Sequence, residues 1–154
     1  MSTSIDARLT ELGITLPTVS APAGAYIPAL VSGSLVFTAG QLPFVDGVLP
    51  ETGKLGGTVD PDAAKGYARQ AALNALAAVA SVIGSLDRVT RIVKVVGFVA
   101  SDPSFTGQPG VINGASEVLG EIFGEAGKHA RSAVGVAVLP LDSPVEVELI
   151  VEFA

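Results

Sequence analysis

DPDAAKGYARQAALNALAAVASVIGSLDRVTRIVKVVGFV, Asp60 to Val99, is the stretch that decides the fold. Its first three residues form a helix start: Asp60 can cap, Pro61 suits the first helical position, and Asp62 favours the positive end of the helix dipole. The helix is expected to run to about Ile83 and stop at Gly84, with Ala68, Ala72, Leu76, Val79 and Ile83 on one apolar stripe. Alanine crowds it, which implies a very close approach to whatever it packs on. Val89 to Val99 then reads as a strand that is apolar on almost both faces.

Outward toward the N-terminus, Pro43 to Thr58 reads as loop, broken by Asp46-Gly47, Thr52-Gly53 and Gly56-Gly57. Leu35 to Ala39 has strand character and is entered through Ser32-Gly33-Ser34. Pro17, Pro22 and Pro28 keep the preceding chain extended, and Ser4 caps a short helix from Ile5 to Leu12 that stops at Gly13. Toward the C-terminus, Asp102-Pro103-Ser104 breaks the strand. A second helix spans about Val111 to Phe123, with Ile112, Ala115, Leu119 and Phe123 on one face. Two strands follow, Ser132–Leu139 and Pro144–Phe153, joined by a turn at Pro140–Ser143.

This order predicts one domain over residues 1–154, an α+β mixed sheet with two long helices on one face. In the last strand Val145, Val147, Leu149, Val151 and Phe153 point one way and Glu146, Glu148 and Glu152 the other. The Ser132–Leu139 strand is apolar on both faces. Two helices cover a single face, so the opposite face calls for a further partner, and self-association is the economical one.

Composition narrows the chemistry. The 154 residues contain no cysteine and one histidine, His129, which removes thiol chemistry, disulfides and a multi-histidine metal site within one subunit. Nine Lys+Arg against 15 Asp+Glu give a net charge of −6, which argues against nucleic acid and anionic lipid as partners. The N-terminus lacks a signal-peptide pattern and the longest uncharged stretch, Gln70 to Leu86, is short for a membrane span. A soluble cytoplasmic protein without a multi-histidine metal site is expected.

Among the cations, Arg131 stands apart because it opens an otherwise apolar strand. It is expected either to form a salt bridge within the chain, with a glutamate of the neighbouring strand, or to receive a ligand carboxylate. Arg91 and Lys94 are expected on opposite faces of their strand. Of the glutamates on the last strand, one facing a pocket would gain basicity by desolvation and could deprotonate a water; the alternative is a solvated edge. Antiparallel pairing of the last two strands would bring Arg131 near Glu152 and leave Glu146 toward the turn, so an Arg131–Glu146 site would need a second chain. His129 reads as a loop residue and Asn113 as a cap or core amide.

Several segments together resemble the YjgF/RidA family of reactive-intermediate deaminases, also labelled endoribonuclease L-PSP. They are Ala25-Tyr26, Leu35-Val36-Phe37-Thr38-Ala39-Gly40-Gln41-Leu42-Pro43, Leu86-Asp87-Arg88-Val89 with Val93-Lys94-Val95, Val111-Ile112-Asn113, Ala130-Arg131-Ser132, and Leu139-Pro140 followed by Val145-Glu146-Val147-Glu148. The resemblance covers nearly the whole chain in order. It implies a chorismate-mutase-like fold assembled as a homotrimer with clefts between subunits, and cofactor-free hydrolysis of 2-imino or enamine acids to 2-oxo acids and ammonia. It assigns Arg131 to the substrate carboxylate, Glu146 to the water, and Tyr26, Gly40 and Asn113 to the substrate-binding cleft. The alternative is a non-catalytic trimer that holds a small carboxylate such as a 2-oxo acid. Ribonuclease action fits poorly with the acidic charge and single histidine. The chain departs from the family pattern at Ala39, usually serine, at Ala133, often cysteine, and at His129, usually proline.

Overall fold

The computed structural model describes residues 4–22 and 24–154. In chain order the elements are α1 (Ile5–Glu11), β1 (Ala29–Ser32), β2 (Leu35–Thr38), α2 (Pro61–Ile83), β3 (Val89–Ala100), α3 (Gln108–Phe123), β4 (Ala130–Val136) and β5 (Val145–Phe153). The strands form a mixed sheet in the order β1-β2-β5-β3-β4.

The expected helix signals act as written. The Asp60 carboxylate accepts from the backbone N–H groups of Asp62 and Ala63, and Gly84 ends α2 at a φ of 87°. All five residues of the anticipated stripe are buried, as are Ala64, Ala71, Ala75 and Ala78, so α2 is enclosed through most of its middle. The short side chains let α3 come close: a Cβ on Gly114 would run into the backbone carbonyl of Lys65. Ser4 caps α1 through the Ala7 N–H.

Three expectations need correction. The last two strands are not a hairpin: β4 pairs in parallel with β3, and β5 pairs antiparallel with the other side of β3. With α3 between them, β3 and β4 form a strand–helix–strand crossover, the connection parallel neighbours require. Arg131 therefore lies opposite Val95, not near Glu152. Secondly, α3 begins at Gln108, with Pro109 in its first turn. Thirdly, irregularities between Val89 and Arg91 and between Ile92 and Lys94 shift the β3–β5 register. Arg91 sits opposite Glu152 and Lys94 opposite Ile150, and those two β5 residues share a face, so Arg91 and Lys94 do too. The hairpin β1–β2 extends the strand expected at Leu35 by a preceding strand, Ala29–Ser32.

The helices bury one face of the sheet, where Ile92, Val95, Val99, Val145, Val147, Leu149 and Val151 form the core with them. The register places Leu30, Phe37, Ile150, Val96, Phe98 and Val134 on the opposite face, with Glu146, Glu148 and Glu152 beside them. Leu30, Phe37 and Val134 are all exposed in the single chain, consistent with the face count. Among the described residues no helix is long and apolar enough to cross a membrane.

Candidate functional site

The five candidate residues fall into two groups on opposite sides of the sheet. The first gathers around Glu146. Past Thr38 the chain continues alongside β5: the Thr38 hydroxyl accepts from the Leu149 N–H at 2.9 Å, and Gln41 exchanges both backbone hydrogen bonds with Val147. This places Gly40 against the Glu146 side chain so tightly that a Cβ there would strike the carboxylate. Buried Asn74 of α2 fixes the next residues by donating to the carbonyls of Leu42 and Phe44.

Tyr26, Gly40, Gln41, Leu141 and Glu146 border a cavity of about 330 Å³. Leu141 lies on its rim with a left-handed φ of 59°. Burial pushes the Glu146 carboxyl above the ordinary glutamate range, and the like charge of Glu148 adds to the shift. No hydrogen bond or ion pair engages Glu146 among the described residues. Glu152, in contrast, accepts from the Thr90 hydroxyl. A larger hollow of about 780 Å³ adjoins this cavity along residues 15–21 and 44–47; none of the five candidates lines it, and Glu146 makes the smaller cavity the chemically interesting one.

The second group gathers around Arg131 on the helix side of β4. Its Nη1 donates to the Asn113 side-chain oxygen at 2.8 Å and to the Ser116 hydroxyl at 3.3 Å, both on α3. Of the two alternatives for Arg131, the intramolecular salt bridge is not formed: among the described residues no carboxylate lies within ion-pair distance of it. Its Nε and Nη2 make no hydrogen bond there, so one complete edge of the guanidinium fork remains open. That edge matches the two oxygens of a carboxylate.

His129 is more than a loop residue. Its Nδ1 lies 2.6 Å from the Gly127 carbonyl and its Nε2 2.8 Å from the Ser116 hydroxyl. Sequence reasoning missed Ser116, since a serine on a helix carries no local signature; the histidine in place of the family's usual proline was the available hint. Within one chain Arg131 and Glu146 stay apart. Their strands flank β3, about 10 Å apart across the sheet, and the side chains leave opposite faces.

Fold and site together define a mixed-sheet α+β protein with one face covered by helices and its charged candidate groups divided between the two faces. A sequence profile of the YjgF/chorismate mutase-like family, described as endoribonuclease-related, matches residues 6–153. The chain belongs to this family. It is 44% identical over 149 residues to Trypanosoma cruzi protein TCP17, covering 96% of this chain and 93% of that one. A Shewanella oneidensis structure with an endoribonuclease label superposes with a TM-score of 0.95 at 36% identity, covering 98% of this chain and all of the other. Escherichia coli TdcF, solved with bound serine, gives a TM-score of 0.66 at 27% identity over 91% of this chain and 96% of TdcF.

Proposed function

We propose that this protein is a RidA-like hydrolytic deaminase, converting reactive 2-imino or enamine acids to 2-oxo acids and ammonia in clefts between the subunits of a homotrimer. The observation that carries the reading is the division of the site. An open guanidinium edge at Arg131 and an unpartnered, desolvated carboxylate at Glu146 lie on opposite faces of one chain, an arrangement that a neighbouring copy can complete. The amino acid bound by TdcF supports a carboxylate ligand for the frame.

The chemistry makes modest demands. Arg131 holds the substrate carboxylate, with Asn113 steadying the guanidinium and Tyr26 and Gly40 bounding the cleft. A protonated imine is already electrophilic, so positioning supplies much of the catalysis. Water adds to C2 as Glu146 accepts a water proton, which its desolvated carboxylate does more readily than an ordinary glutamate. The resulting carbinolamine is protonated at nitrogen and loses its hydroxyl proton; the C–N bond breaks, releasing ammonia and the 2-oxo acid. One imine and one water give one oxo acid and one ammonia.

The test uses 2-imino acids generated in situ by an amino-acid oxidase, with semicarbazide trapping whatever survives. The wild-type protein should divert imine from the trap. Arg131→Ala should lower kcat/KM about 100-fold, the loss of a charge-assisted carboxylate contact, and Glu146→Gln should lower kcat by about 10²–10⁴-fold while 2-oxo acid binding persists. Binding without turnover in the wild type would make the protein a carboxylate-holding module instead.

A further inference from the structure

We infer that Ser116 and His129 act as a positioning pair for Arg131, fixing the direction in which its guanidinium faces a carboxylate. This rests on the carboxylate-binding reading of Arg131 given above and adds two residues to it.

The pair is ordered by a chain of hydrogen bonds whose directions follow from chemistry. A carbonyl oxygen can only accept, so the contact with Gly127 places a proton on His129 Nδ1. Nε2 of the neutral ring is then bare and accepts the Ser116 hydroxyl proton. With its proton committed, the Ser116 oxygen turns a lone pair toward Arg131 Nη1. Asn113 accepts the second Nη1 proton. Both protons on that nitrogen are spoken for, and because the guanidinium is planar its Nε–Nη2 edge is aimed as well.

The start of this chain is rigid. Gly127 is buried at the end of the short 3₁₀ turn Gly124–Gly127, packed so closely on α3 that a Cβ would meet the Leu119 carbonyl. Packing of the turn on α3 therefore sets the histidine tautomer, the tautomer sets the serine, and the serine helps set the arginine. A serine bonded to a histidine also invites a nucleophilic reading. The arrangement argues against it: Ser116 lies in the interior of α3, where backbone N–H groups are engaged within the helix, and its oxygen already accepts from the guanidinium.

The experiment measures imine hydrolysis and calorimetric binding of 2-oxobutyrate for the wild type, Ser116→Ala, His129→Ala, His129→Gln, His129→Asn and Arg131→Ala. Ser116→Ala and His129→Ala should each raise KM and Kd about tenfold, the effect of one hydrogen bond to a charged group, with kcat within about threefold. Glutamine can reach Ser116 with an accepting oxygen and should retain near-wild-type KM. Asparagine can replace only the Gly127 contact and should behave like alanine. The opposite order, asparagine rescuing and glutamine failing, would make His129 a turn anchor and overturn the inference, as would unchanged binding in Ser116→Ala. Wild-type affinity in Arg131→Ala would instead overturn the carboxylate-binding reading itself, so the two failures read differently.

Discussion

Glu146 is held in surroundings that oppose its charge: the carboxyl is partly desolvated, pressed over Gly40 and close to Glu148. Its raised pKa makes ionisation less favourable in the native state than in the unfolded chain, where an ordinary glutamate titrates near 4.5. The native state therefore gains relative stability from Glu146 below that pH and loses it as pH rises through the folded pKa. Glu146→Gln should accordingly match the wild type in urea melts near pH 4 and exceed it at pH 8; a gap that stays flat or reverses would refute the desolvation account. The alternation of β5 set three carboxylates on one face, and only the family resemblance picked out Glu146 among them. Which of the three met a cavity was not legible, because that depends on the path of Gly40 and Gln41, distant in sequence. Ser116 was invisible for the same reason: its partners, His129 and Arg131, lie thirteen and fifteen residues on, before and at the start of β4.

At the level of elements, α2 and α3 were legible because their caps, breakers and stripes are local. Their closeness was partly legible too, since the alanines of α2 announced it. Gly114 gives this contact a measurable form. Gly114→Ala forces a Cβ into the Lys65 carbonyl and should cost about 1–3 kcal/mol, read as a fall in Tm of roughly 2–10 °C. Gly120 lies on the same helix and a Cβ there meets nothing within 4 Å, so Gly120→Ala should instead stabilise by about 0.5–1 kcal/mol. Equal effects at both positions would mean that helix propensity, not packing, governs α3. The strand connectivity was misread because proximity in sequence favoured a β4–β5 hairpin. The alternative signal was present in the strand–helix–strand order of β3, α3 and β4, which allows parallel pairing. The β3 irregularities left no such signal, and they alone moved Lys94 onto the face of Arg91.

For the whole molecule, counting faces was enough to show that two helices leave half of the sheet uncovered. The structure gives that face its content: Leu30, Phe37 and Val134 exposed, with Ile150, Val96 and Phe98 on the same side of the register. The sequence also showed that Arg131 and Glu146 would not meet within one chain, although it gave the wrong geometric reason. The hairpin it assumed is absent; the two side chains are separated by β3 and by the plane of the sheet.

That separation has a genetic corollary. A subunit with Arg131→Ala still offers an intact Glu146, and one with Glu146→Gln still offers an intact Arg131. Under the proposed trimeric deaminase, in mixed assemblies built from equal amounts of these two chains, about one junction in four joins the two sound halves, if each cleft takes one half from each neighbour. Under that proposal co-expression of the two alleles should restore about a quarter of wild-type turnover, whereas mixing the separately purified proteins without subunit exchange should restore none. Absence of complementation in verified mixed assemblies would overturn the shared cleft between Arg131 of one subunit and Glu146 of another. Two alleles, each inactive alone, would otherwise suffice for a working phenotype together, while a chain carrying both substitutions would rescue neither.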